Sequence, residues 1–235
     1  MKYQSRFWRR YFRYYDVLLK VIPYQNVLKE LASFAKTSSV RLLDLGAGTG
    51  NLLYHLPSDV QVTSLDNSEE ALERLLQKFP DAQIIRHSII EPLPFNDNYF
   101  DGVISNNVLY TLQEKQWEPL IEEIKRVCRP NGFVAVSNLA ENFDAMSIYK
   151  AHINQSLKLK GRLRTVIELT QLIWPTFKIF WFNKKIKKDN AEGIYSFVKE
   201  DHQKQLFEKY GFQSLFDTKW VYAEQAKLNG FVNIK

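Results

Sequence analysis

The sequence predicts an α/β protein built on a doubly wound, mostly parallel sheet. Short apolar runs alternate with amphipathic helical patterns between residues 40 and 138, and three glycines spaced by two follow the first run. Strands and helices that alternate at this spacing are typical of βαβ units, whose strands run parallel. With 235 residues, the chain has the length of one such domain with a helical addition.

The first half of the chain divides into elements by the period of its apolar residues. A first helix is predicted over residues 3–20, and Pro23 interrupts the helical pattern after it. A second helix is predicted over Gln25–Lys36. The predicted strands are Val40–Leu45, Val60–Leu65, Gln83–Arg86, Gly102–Ser105 and Phe133–Ser137. Between them we expect a short helix at Asn51–Leu56, a helix opened by an Asn67-x-x-Glu70 capping box, and a helix face from Trp117 to Cys128.

The second half predicts an insertion and a return to the alternating pattern. Residues 139–190 read as mainly helical, with Pro175 as a kink or break. A helix at Glu200–Tyr210 follows, and closing strands are expected near Gln213–Lys219 and Ala226–Ile234. We therefore interpret 1–235 as a single domain. Its parts are N-terminal helices (1–38), a core that binds a cofactor (39–138), a helical lid (139–190) and a closing helix with strands (191–235).

The net charge of +6 conceals two basic segments on an acidic body. Residues 1–20 hold six Lys/Arg and one acid, and residues 150–188 hold ten Lys/Arg and one acid, which leaves 16 bases and 24 acids elsewhere. The two segments are also rich in aromatic residues, a combination that suits an anionic membrane surface. The plain alternative is a helical lid whose basic side chains are merely solvated. Bulky apolar residues favour lipid over nucleic acid as the partner.

The glycine-rich turn indicates a nucleoside ligand. Gly46, Gly48 and Gly50 follow the first strand and Asp66 ends the second, so they meet at the edge where open parallel sheets bind ligands. A carboxylate at the position of Asp66 can accept hydrogen bonds from both ribose hydroxyls. The spacing G-x-G-x-G differs from the dinucleotide motif G-x-G-x-x-G. Asp44, just before the glycines, suits a ligand with a positive end rather than a pyrophosphate.

These residues resemble the class I S-adenosylmethionine-dependent methyltransferases, whose first motif is acidic-x-G-x-G-x-G. Further motifs follow in register: Asp66-Asn67-Ser68, Glu91-Pro92-Leu93-Pro94-Phe95 with Asn98-Tyr99-Phe100-Asp101, Ser105-Asn106-Asn107-Val108-Leu109, and Arg129-Pro130-Asn131-Gly132. They cover roughly residues 40–138 and fit the small-molecule branch, which includes quinone and lipid methyltransferases. The resemblance implies a Rossmann-like sheet of seven strands, with one antiparallel edge strand, and S-adenosylmethionine as cofactor.

The resemblance also implies which residues hold the cofactor. Asp44 and the turn at Gly46, Ala47 and Gly48 would lie by its methionine part, Asp66 would hold the ribose, and Asn67 would lie near the adenine. Ser88 stands where the family commonly has an aspartate that accepts from the adenine amine, so this contact should be weaker. The remaining expected cofactor contacts are Gly50, Ile89 and Asn106.

Candidates for acid–base catalysis are few. Methyl transfer needs orientation more than proton transfer, and a base matters only if the acceptor must lose a proton. Tyr110, just beyond the fourth strand, and His152, in the insertion, are the two candidates; for each, an ordinary packing role is the competing interpretation. The spacing of the histidines predicts no metal site, and Cys128 fits core packing.

The sequence thus predicts an enzyme that transfers a methyl group to a small, hydrophobic or lipid-like acceptor. A methyltransferase of RNA or protein, a cofactor-binding protein without turnover and a nicotinamide-dependent oxidoreductase are the alternatives. The fourth strand lacks the Asn/Asp-Pro-Pro-aromatic motif of base and glutamine amino-methyltransferases, which argues against those acceptors. A single cysteine and the absence of a leader pattern favour a cytoplasmic protein, peripheral on the membrane if the basic segments bind lipid.

Overall fold

The computed structural model describes residues 2–35, 40–199 and 201–234. Seven α-helices lie in these ranges: α1 (Lys2–Tyr15), α2 (Ile22–Ala32), α3 (Glu69–Lys78), α4 (Trp117–Val127), α5 (Ala145–Lys160), α6 (Arg162–Ala191) and α7 (His202–Lys209). The strands are β1 (Arg41–Leu45), β2 (Gln61–Asp66), β3 (Gln83–Arg86), β4 (Phe100–Asn106), β5 (Cys128–Leu139), β6 (Phe212–Ser214), β7 (Lys219–Val221) and β8 (Ala226–Asn233).

All eight strands form one sheet, in the order β3-β2-β1-β4-β5-β8-β6, with β7 also paired to β8. The first five strands pair in parallel, and β8 pairs antiparallel with β5 and β6. The doubly wound α/β prediction is confirmed. The antiparallel strand β8, however, is not at the edge of the sheet as expected. The short strands β6 and β7 both pair with it, each along a different part of its length.

The sheet is buried on both faces, as its parallel strands require. Successive residues of β1 point to opposite sides. Leu42 packs in a core shared with α1, α2 and α6, whereas Leu43 packs in a second core shared with α4 and α7. The first core lies under the predicted N-terminal and lid segments, so these helices form a layer on one face of the sheet.

The helices depart from the prediction mainly at their ends. The first helix tightens into a 3-10 turn at Asp16–Lys20, and α2 then begins at Ile22, with Pro23 in its first turn, where proline is tolerated. The predicted end of the second helix, Lys36, lies outside the described residues. Ser68, not Asn67, caps α3, because its hydroxyl accepts from the Ala71 amide.

Three other segments also differ from expectation. The expected helix at Asn51–Leu56 is a 3-10 turn over Asn51–His55. Helix α6 continues through Pro175 without a break, and the expected strand at 213–219 is divided into β6 and β7 by a bend. The start of α7 is His202; Glu200 is outside the described ranges. The division of 1–235 into four parts of one domain stays a prediction.

No helix in the described part of the chain combines the length and the apolar character needed to cross a bilayer.

Candidate active site

A cavity of about 610 Å³ opens at the carboxyl ends of β1, β2 and β4. The chain passes from β1 to β2 on one side, and β4 returns on the other side of β1. This reversal of strand order leaves a crevice outside the sheet, where open α/β sheets bind ligands. Residues Asp44 and Asp66 project from the ends of β1 and β2 into its lining.

The glycine turn forms the floor of the cavity. The backbone has positive φ at Gly46, Gly48 and Gly50, a conformation that side chains with a Cβ rarely adopt. A Cβ on Gly46 would lie 2.3 Å from Cγ2 of Val108, so this glycine also lets the turn pack closely on the segment after β4. The turn is held by the amides of Gly46 and Ala47, which both donate to the carbonyl of Leu65.

Asp66 is held in place by the backbone around it. Its Oδ2 accepts from the Gly48 amide at 2.8 Å, and its Oδ1 accepts from the Ser68 amide at 2.8 Å. Burial raises its pKa above the ordinary value, while these hydrogen bonds act to lower it. Each carboxylate oxygen has a second lone pair. The side chain can therefore accept further hydrogen bonds from a pair of vicinal hydroxyls without losing its anchoring contacts.

Asp44 is a buried carboxylate whose hydrogen-bonding capacity is not fully satisfied. The residue is 3% exposed, and its Oδ2 atom has no hydrogen-bond partner among the described residues. Burial, and secondly the charge of Asp66, raise the pKa of Asp44 to about 7. A buried carboxylate in this state is stabilised by a cation. The pair formed by Asp44 and Asp66 therefore fits a ligand that carries both a positive end and a ribose, as S-adenosylmethionine does.

The structure brings most of the predicted site residues to one cavity. Its lining includes these of the predicted residues: Asp44, Gly46, Ala47, Gly48, Asp66, Asn67, Ser88, Ile89, Asn106 and Tyr110. Gly50 and His152 are outside that lining. Gly50 serves packing, because a Cβ there would lie 2.6 Å from Cγ of Leu75 in α3.

His152 has a structural environment. Its side chain is fully buried, and its Nδ1 accepts from the amide of Ile22, the first residue of α2, at 3.3 Å. Burial lowers its pKa, so the ring is neutral at physiological pH. The side chain thus joins α5 to the start of α2 and is not part of the cavity lining.

Four tyrosines that sequence reasoning missed share the cavity with Tyr110: Tyr11, Tyr15, Tyr24 and Tyr222. Tyr24 donates to the Tyr15 hydroxyl at 3.0 Å, and its ring lies 5.7 Å from that of Tyr222. Burial raises the pKa of Tyr24 to about 12 and also raises the pKa values of the other four above the ordinary value. All five phenols are therefore neutral hydrogen-bonding groups on an otherwise aromatic wall.

Helix α1 covers the glycine turn. The ring of Phe12 packs on Gly48, and Arg9 forms a 2.8 Å ion pair with Glu70 of α3. Behind it, Asp16 accepts from the Thr49 hydroxyl at 2.6 Å and from the Lys78 ammonium at 2.9 Å. These contacts tie the N-terminal segment to the glycine turn and to α3.

Residues 43–136 match the family model described as a methyltransferase domain. The chain is 34% identical over 161 residues to the biotin biosynthesis bifunctional protein of Teredinibacter turnerae, covering 58% of this chain and 27% of that protein. It is 27% identical to the demethylmenaquinone methyltransferase of Staphylococcus haemolyticus, covering 86% and 82% of the two chains. The chain spans 27%, 51% and 56% of the length of three of its curated relatives.

The fold has solved counterparts. The structure of a SAM-dependent methyltransferase from Aquifex aeolicus superposes with a TM-score of 0.58 at 18% identity and covers 93% of each chain. Three observations point to the same kind of protein. They are the strand order, the glycine turn that follows Asp44, and the match of residues 43–136 to a methyltransferase domain. Residues 43–136 are therefore similar to methyltransferase domains, and the chain has the fold of a solved SAM-dependent methyltransferase.

Proposed function

We propose that the chain transfers the methyl group of S-adenosylmethionine to a small, hydrophobic or lipid-like acceptor. The observation that carries this proposal is one cavity whose lining combines two chemically different sets of residues. Asp44, Asp66 and the glycine turn form the part that we call the cofactor end, and the tyrosines form the part that we call the acceptor end. A cavity that joins a cofactor site to an aromatic compartment is suited to bring an apolar acceptor to a bound methyl donor.

The chain's contribution is orientation and the exclusion of water. When bound, S-adenosylmethionine supplies an electrophilic methyl group on a positively charged sulfur. Asp44 offers the carboxylate that compensates a positive ligand, and Asp66 offers two oriented acceptors to the ribose. Phe12 closes the apolar side over Gly48. Asp66 is fixed by backbone hydrogen bonds and Phe12 is packed on Gly48 before a ligand enters, which lowers the entropy lost on reaching the reactive geometry.

The acceptor end favours an apolar acceptor. Among the described residues that line the cavity, none is histidine, lysine or cysteine. The five buried phenols stay neutral, so they offer aromatic surface and hydroxyl groups to an acceptor. Asp44, whose pKa is about 7, belongs to the cofactor end. The relative from Staphylococcus haemolyticus is named for a demethylmenaquinone, which supports a hydrophobic acceptor. Tyr110 is the residue we propose to orient it.

We propose further that the chain works in the cytoplasm as a peripheral protein on an anionic membrane. This rests on the excess of Lys/Arg in residues 1–20 and 150–188 and on the apolar nature of the acceptor end. A lipid-like acceptor is concentrated in the bilayer, so binding there would raise its local concentration.

The proposal is tested by calorimetric titration with S-adenosylmethionine and its demethylated product, followed by incubation of labelled cofactor with lipid, RNA and protein fractions. We expect binding of both ligands, and label in the lipid fraction. Asp66→Asn should weaken binding about 100-fold, because hydrogen bonds to a charged acceptor contribute about 1.5–3 kcal/mol each. The exposed Asp81→Asn is the matched control and should bind normally.

The outcomes separate the alternatives. Absence of binding would overturn the proposal, and label in RNA or protein would indicate a macromolecular acceptor. Binding without any product would favour a protein that kept the cofactor site for another use.

A further inference from the structure

Helix α6 is apolar on two opposite sides, and the described chain covers only one of them. The inner side packs in the core through residues that are at most 7% exposed: Leu172, Ile179, Phe182 and Ile186. The other side, which we call the outer face, consists of residues that are each more than half exposed: Leu163, Val166, Ile167, Ile173, Trp174, Phe177 and Trp181. At 1.5 Å per residue, this face is about 27 Å long.

An exposed apolar surface of this extent is unusual. Single exposed apolar residues need no explanation, but contiguous patches mark sites that contact another surface. Trp174 is 61% exposed, and its ring stacks with that of Phe177 at 6.3 Å between centroids. Because α6 is one continuous helix, its outer face is long and regular rather than a pocket. A partner must therefore present an extended apolar layer.

Basic residues border the outer face. Helix α6 contains seven Lys/Arg and two acids, a net charge of +5. The ammonium of Lys178 lies 4.5 Å from the centre of the Trp174 ring, and Lys184 and Lys188 follow Trp181 at helical spacing, on the same side. Tryptophan with bulky aliphatic residues, edged by cations, is the composition of helices that lie in the interface of a bilayer.

We infer that the outer face of α6 docks the chain on an anionic lipid bilayer. Anionic headgroups attract the basic border, at about 1 kcal/mol for each basic residue near the surface, while the tryptophans and aliphatic side chains enter the apolar layer. A symmetric pair of two chains through the same face would bring two positively charged helices together. Charge complementarity therefore favours anionic lipid over a second copy.

The inference assigns the membrane contact to α6 rather than to both basic segments. Helix α1 is equally basic, but Phe7, Tyr11 and Phe12 are buried in the core, so its apolar side is already covered. Helix α6 is different because its outer face is exposed. Its inner side forms part of the cavity wall, through Ile179 and Asn183.

Docking would thus bring the bilayer within about 10 Å, one helix diameter, of the acceptor end. The docking deepens the membrane contact of the proposed function by assigning it to α6, and this last step rests also on the proposed methyl transfer.

The experiment is cosedimentation of the full chain with vesicles of equal parts phosphatidylglycerol and phosphatidylcholine, compared with phosphatidylcholine alone. We expect binding to the anionic vesicles at low salt and release at high salt. The triple variant Trp174→Ser, Phe177→Ser, Trp181→Ser should bind at least about tenfold more weakly, because it removes three large interfacial side chains. Its helical circular dichroism and its affinity for S-adenosylmethionine should match those of the unaltered chain.

Trp220→Ser is the control, since Trp220 is 52% exposed but lies on β7. Equal vesicle binding by the triple variant and this control would overturn the inference, as would failure of the unaltered chain to sediment. Light scattering adds the competing outcome: a dimer that the triple variant dissociates, without vesicle binding, would make the face an interface between copies. The outcomes of sedimentation and light scattering do not depend on cofactor binding, which calorimetric titration tests separately.

Discussion

Phe12 of the N-terminal helix packs directly on Gly48 of the cofactor turn. A Cβ atom on Gly48 would lie 3.3 Å from Cε1 of Phe12, closer than side chains normally approach. The contact joins two segments that the sequence keeps 36 positions apart, and it explains why the turn needs a glycine here beyond its positive φ. The N-terminal helix is therefore part of the cofactor site, not an appendage to it.

Replacing Phe12 with leucine should loosen this cover. The substitution keeps an apolar side chain but leaves a gap over Gly48, so bound S-adenosylmethionine should dissociate about tenfold faster, as expected when a contact worth about 1.4 kcal/mol is lost. Stopped-flow displacement measures the rate. Phe216→Leu is the control, because Phe216 packs on Phe34, away from the cavity. Unchanged dissociation in Phe12→Leu would show that α1 does not retain the cofactor.

Sequence reasoning located the cofactor end because its determinants are local. Strand periodicity placed Asp44 and Asp66 at adjacent strand ends, and β3 was predicted at its observed bounds, Gln83–Arg86. It missed Tyr222 because this residue joins Tyr24 only through the folding of distant segments. It left the role of His152 open for a related reason. Its position in the insertion gave no sign of which neighbour it faces, and that neighbour is the backbone of Ile22.

Asp44 should make cofactor binding depend on pH. Its pKa of about 7 means that the carboxyl is mostly protonated at pH 6 and mostly ionised at pH 8. Since only the carboxylate compensates a positive ligand, the affinity for S-adenosylmethionine should rise about tenfold between these values. Asp44→Asn should bind about 100-fold more weakly, with no such rise. Calorimetry in buffers of different ionisation enthalpy would also detect the proton released on binding.

The same residue should cost stability in the free chain. A folded-state pKa raised from 3.8 to about 7 means that the stability linked to the neutral carboxyl is present below pH 4 and is lost as the pH rises through 7. Asp44→Asn, which stays neutral, should therefore melt at a higher temperature than the unaltered chain at pH 8, and the difference should shrink at pH 5. Equal melting temperatures at pH 8 would contradict the raised pKa.

Tyr110 should act as a neutral orienting group. Burial holds its pKa well above 10, so it is protonated across the working range. Tyr110→Phe should lower kcat about tenfold, the loss of one hydrogen bond made in the transition state, and should leave the shape of the pH–rate profile between pH 6 and 9 unchanged. Tyr54→Phe, at a residue that is 52% exposed, is the control. A profile that changes shape would instead identify Tyr110 as a base.

His152 should affect stability without affecting turnover. Its pKa is lowered by burial, so the stability it contributes is present above the unfolded value of about 6.5 and is lost as the pH falls through the folded value. His152→Phe removes the acceptor of the Ile22 amide and should lower the melting temperature at pH 8.

The same change should also remove the part of the stability loss at acidic pH that comes from protonation of this ring. The value of kcat should stay within about twofold, because His152 does not line the cavity. His152→Gln, which restores an acceptor, should recover part of the melting temperature. A large loss of kcat in both variants, with normal melting, would place His152 in the reaction after all.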